Sequence, residues 1–91
     1  VQHRGEPNLT DEQMMTTAYV SEAKVIELAA QAGLVLDTRS EINANPKDTK
    51  DYEMGVWTLP PTLAAGDVNR ERYLMIGESD RMTLRFLKPL D

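Results

Sequence analysis

Cysteine is absent from this 91-residue sequence, and histidine and tryptophan occur once each. Without thiols there can be no disulfide staple, no thiolate metal site and no cysteine nucleophile, although a chain from any compartment can lack cysteine. A single histidine, His3, with no recognisable nucleophile turn leaves Ser-His-Asp hydrolysis without support. No stretch nears the roughly 20 apolar residues that cross a bilayer, and the start has neither the basic residues nor the apolar run of a signal peptide. No membrane partner is expected, and localisation is not written in these residues, since a targeting signal would precede Val1. The five glycines, Gly5, Gly33, Gly55, Gly66 and Gly77, are too scattered to form a G-x-G motif. Basic residues are outnumbered, 10 against 15 acidic, and the net charge of -5 argues against a phosphate-binding surface, so nucleic acid is not an expected partner. There is no repeat, no low-complexity tract and no dividing linker. A chain of this length makes at most one small domain, burying about 60 to 65% of its unfolded surface, with a thin stability margin.

What is present is a sequence of element signals. Val1 to Gly5 reads as the end of a strand running into a polar turn, and because the chain begins at Val1 and not Met, further chain is expected before it. Thr10-Asp11-Glu12-Gln13 has capping-box spacing, which predicts a short helix over 11–15. Ser21 is a good N-cap, Glu22 places negative charge at a helix's positive end, and Gly33 suits the left-handed position that ends one, so a helix is predicted over 22–32. Val25, Ala29 and Ala32, joined by Ile26, Leu28 and Ala30, form one broad face expected to be buried against a sheet.

Leu34 to Asp37 is a short apolar run, read as a strand that continues in half-exposed form to Ile42. Arg81 to Lys88 alternates, with Met82, Leu84 and Phe86 on one face and Thr83 and Arg85 on the other, and Pro89 stops it. Residues 43–80 form an insertion between these two strands, too long for an ordinary hairpin or a structureless loop. Asn45-Pro46-Lys47-Asp48 and Gly66-Asp67 are turns in it, Pro60-Pro61 is a stiff extended pair, and 67–75 is a weak helix signal. Two strands and one helix bury too little to stand comfortably alone, so the physical reading is an incomplete α/β layer completed by missing chain or by a partner.

The order of these segments resembles the last part of a Rossmann-like class I methyltransferase. More specifically, Gln2-His3-Arg4 is similar to the aspartate-histidine-arginine segment of a bacterial family of predicted methyltransferases, departing at its first position. Val20 to Val25 and Gln31 to Leu36 look like that family's helix-to-strand passage, Asn45-Pro46 like its following turn, and Gly77 to Pro89 like its ending. Tyr52 to Arg72 departs most. The resemblance implies that 1–91 is a single C-terminal fragment of an S-adenosylmethionine-dependent methyltransferase domain. The cofactor would belong to the parent protein, with its glycine-rich loop and ribose-holding acid upstream, and this segment would supply a sheet edge and the acceptor-side pocket without being competent alone.

Four residues stand out as candidates for contact with a substrate. His3, at the C-terminal end of a strand, is either a general base or substrate contact, or a turn residue bonded to its neighbours. Arg4 would orient an anionic or carbonyl group, but an ion pair to Glu6 or plain solvation accounts for it as well. Tyr19 lines a cleft or staples the helix start, and packing is the simpler account. Trp57, with Tyr52, Met54 and Val56, forms a lid over substrate, covers a sheet edge or makes an intermolecular contact. Asp48, Asp51 and Glu53 lack the calcium-loop pattern and read as a solvated acidic loop, so no metal site is assigned. The competing functional reading is a non-enzymatic module that self-associates through exposed strand edges, its partner being a second copy of the chain instead of the missing N-terminal part of the same domain.

Overall fold

Extended backbone at Gln2–His3 forms strand β1, and the chain then passes through two short helices before returning to the sheet. The computed structural model describes residues 1–89. Helix α1 spans Asp11–Thr17, and both halves of its capping box are made: the Thr10 hydroxyl accepts from the Gln13 amide, and the Gln13 side chain accepts from the Thr10 amide. Helix α2 spans Glu22–Gln31, with the Ser21 hydroxyl accepting from the Lys24 amide. Strand β2 is Val35–Ser40, a 3₁₀ turn occupies Gly55–Thr58, helix α3 is Arg70–Ile76, and strand β3 is Arg81–Leu87.

Strand β3 lies in the middle of a three-stranded sheet, in the order β1-β3-β2, and both of its pairings are antiparallel. The register sets Gln2 opposite Met82 and His3 opposite Arg81 on one side, and Leu36 opposite Phe86 on the other. Asp37 is the extra residue of a bulge between Leu36 and Thr38, which bends β2 and roughens its outer edge. This open antiparallel sheet corrects the fold expected from the methyltransferase resemblance. A Rossmann-like sheet is built from parallel strands joined by β-α-β crossovers, whereas among the described residues no neighbouring strands run parallel, and the one parallel contact is an isolated bridge between Arg4 and Val20.

Burial also differs from expectation. No residue of α2 is buried, and Leu28 is half exposed, because the helix rests chiefly against β2 and only Val25, Ile26 and Ala29 on its apolar face are partly covered. The buried apolar side chains are Tyr19, Tyr52, Val56, Leu59 and Met82, three of them contributed by the segment between β2 and β3. That long connection is therefore the molecule's core-forming part. It is held by the 3₁₀ turn packing against α1, where Gly55 is required: its φ is +62°, and a Cβ there would come within 2.5–2.9 Å of the Thr17 backbone. The Pro60-Pro61 peptide is cis and lies in a turn, not an extended run.

Candidate ligand-binding cleft

Residues opposite each other on paired strands share a face, and successive residues alternate faces. The register thus separates the neighbours His3 and Arg4. His3 and Arg81 fall on one face; Arg4 and Asp80, joined by the Arg4 amide donating to the Asp80 carbonyl at 2.8 Å, fall on the other. Arg81 turns its own amide away to the Asn43 carbonyl, so His3 and Arg81 form the more closely spaced type of antiparallel pair.

On the Arg4 face the guanidinium is fully committed. Its Nε and Nη2 donate to the two Asp80 oxygens at 2.8 and 3.0 Å, and further bonds reach Glu22 at 3.0 Å and Glu41 at 2.7 and 3.0 Å. No pair to Glu6 forms; Glu6 lies on the exposed turn while these three acids converge from three other segments. Burial alone would raise the Asp80 pKa, but hydrogen bonds from Arg4, Lys50 and the Asn45 amide outweigh it and hold the carboxyl well below its ordinary range. Asp48 is likewise not the solvated acid expected. It is buried and accepts from the Tyr19 hydroxyl at 2.9 and 3.0 Å, from the Lys50 amide and from the Asp80 amide. Tyr19, itself 1% exposed, is a core side chain whose pKa is pushed up by burial and then by Asp48. Arg4 and Tyr19 hold the frame and do not line the cleft.

On the opposite face lies a cleft of about 200 Å³. It is lined by His3, Glu78, Ser79 and Arg81 from β1 and the entry to β3, and by Val56, Trp57, Pro60, Pro61 and Thr62 from the long connection. The His3 Nδ1 and the Ser79 hydroxyl form a short hydrogen bond across 76 residues of sequence. Burial, then the adjacent Arg81 charge, lowers the His3 pKa, so the imidazole is neutral at pH 7. Among the described residues, no hydrogen bond engages its Nε2, and Arg81 Nε is buried without a partner. The remaining tie on Arg81 is a loose contact of 3.7 Å from Nη2 to the exposed Glu78 carboxylate.

Of the four residues singled out in the sequence, the fold therefore gathers His3 and Trp57 in one cleft. Ser79 and Arg81 were missed as site residues. Their one signal was the polar run Glu78-Ser79-Asp80-Arg81 entering a clean strand, and only the register shows that it meets His3. Among the described residues no group of three or more histidine, aspartate or glutamate side chains is placed to hold a metal ion.

The chain matches no protein-family model, no curated protein and no solved structure. The antiparallel sheet overturns the methyltransferase reading, including S-adenosylmethionine as cofactor and the acceptor-side pocket: the parallel β-α-β frame that would carry them is not the frame this chain builds.

Proposed function

We propose that this chain is a binding module for a small organic ligand, taken up in the cleft lined by the His3–Arg81 face of the sheet and by Trp57, Pro60 and Pro61. The observation that carries this reading is a set of polar groups with little or no partner sharing a cleft lining with apolar ones. Among the described residues the His3 Nε2 is unengaged and the Arg81 guanidinium has only a loose 3.7 Å contact to the exposed Glu78, while Trp57, 45% exposed, belongs to the same lining. A few placed polar groups against aromatic and apolar lining is the ordinary make-up of a small-molecule site.

Binding accounts for His3 and Ser79 better than nucleophilic catalysis does. Ser79 is 4% exposed, so its hydroxyl has little open approach to a substrate, and no third group orients the imidazole through Nε2. Trp57 is the sole tryptophan, so its emission reports on the cleft alone. Titration with small flat compounds such as benzoate, benzamide and phenyl phosphate should change that emission saturably for at least one of them. Linear, unsaturated responses to all three would remove the reading.

A further inference from the structure

Resting on the binding-module reading, we infer that the cleft selects a flat ring bearing a single carboxylate, with Arg81 and His3 holding the carboxylate and Trp57 stacking on the ring. The polar part of the lining supplies donors. In the tautomer in which the Ser79 hydroxyl donates to Nδ1, the neutral imidazole carries its proton on Nε2 and offers it to a ligand acceptor, and the Arg81 guanidinium adds a planar fork that fits a carboxylate in two parallel hydrogen bonds. Both residues lie on one face at directly opposed positions of β1 and β3 and line the same cleft.

Charge and size narrow the class further. Among the described residues Arg81 is the only cation in the lining, Glu78 shares that lining, and the chain carries a net charge of -5. A dianion such as a phosphate monoester is penalised by that surround more than a monoanion is. Glu78 is 63% exposed and only loosely paired at 3.7 Å, and solvent-screened pairs of this kind hold weakly, so a ligand carboxylate displaces it at little cost. The part of the lining made by Trp57, Pro60 and Pro61 offers flat apolar surface suited to a ring. At about 200 Å³ the cleft is smaller than the roughly 300–1,000 Å³ pockets of drug-sized ligands, which favours a single small ring.

The test compares benzoate, its neutral isostere benzamide and the dianionic phenyl phosphate by Trp57 emission, on the unaltered chain and on Arg81→Gln. Benzoate should bind at least about tenfold more tightly than either comparator, and Arg81→Gln should abolish that preference. Equal affinity for benzoate and benzamide, or tightest binding of phenyl phosphate, would overturn the carboxylate class while leaving the cleft as a binding site. No saturable response to any of the three would overturn the binding-module reading itself. Retained benzoate preference in Arg81→Gln would remove Arg81 as the anchor.

Discussion

Asp80→Asn isolates the group on which the frame of the cleft depends. The Asp80 side chain is 6% exposed and accepts from Arg4 at 2.8 and 3.0 Å, from the Asn45 amide at 2.8 Å and from Lys50 at 2.9 Å. The substitution keeps the shape, removes the charge and points an amide NH2 at two cations. Breaking a fully buried pair costs about 3–5 kcal/mol; Arg4 and Lys50 are 17% and 15% exposed, which lowers the expected loss to about 2–4 kcal/mol. For a domain of this length that is a fall in Tm on the order of 10–30 °C. Urea unfolding followed by Trp57 emission and far-ultraviolet circular dichroism measures it. Glu41→Gln is the internal comparison, because Glu41 bonds the same guanidinium from the 57% exposed side and its loss should matter far less. The sign with pH follows from the depressed Asp80 pKa. Its contribution is complete above the ordinary carboxylate value of 3.8 and is lost as pH falls below it, so the difference between the two chains should shrink in acid. A loss below about 1 kcal/mol for Asp80→Asn, or equal losses for Asp80→Asn and Glu41→Gln, would refute the reasoning.

Three other outcomes are expected. Gly55→Ala should cost at least about 2 kcal/mol in the same unfolding assay, since it adds a left-handed φ penalty to a clash with the Thr17 backbone. Tyr19→Phe leaves buried Asp48 short of its hydroxyl donor and should cost about 1–3 kcal/mol, against near-neutrality if Asp48 were solvated. His3, as the sole histidine, gives one imidazole titration by nuclear magnetic resonance. Its midpoint should lie below 6.5 and rise toward that value in Arg81→Gln; stability linked to it falls as pH drops from 6.5 through the folded midpoint, because the unfolded chain takes up the proton first.

Local signals were legible and pairing was not. Thr10 and Gln13, or Ser21 and the helix after it, carry their instructions within four residues, because a cap is a contact between neighbours. The alternation of Arg81 to Leu87 likewise marks a strand from its own residues. Nothing in one sequence states that this strand sits between two antiparallel partners, and the same helix and strand order was equally readable as part of a Rossmann-like sheet. The segment between β2 and β3 was legible as having a job but not which one, since Asp48, Tyr52, Val56 and Leu59 have neither helical nor strand periodicity and become core only against distant chain. For the cleft, His3 and Trp57 were visible as the single residues of their kind, whereas Ser79 and Arg81 depend on a contact across 76 residues.

The most direct measurement of the central claim is a benzoate titration in which the His3 imidazole and the Trp57 indole signals are followed in the same sample. The account predicts that both move with one common midpoint, because a single ligand sits in a cleft that both residues line. Movement of only one signal, or two distinct midpoints, would contradict a shared cleft.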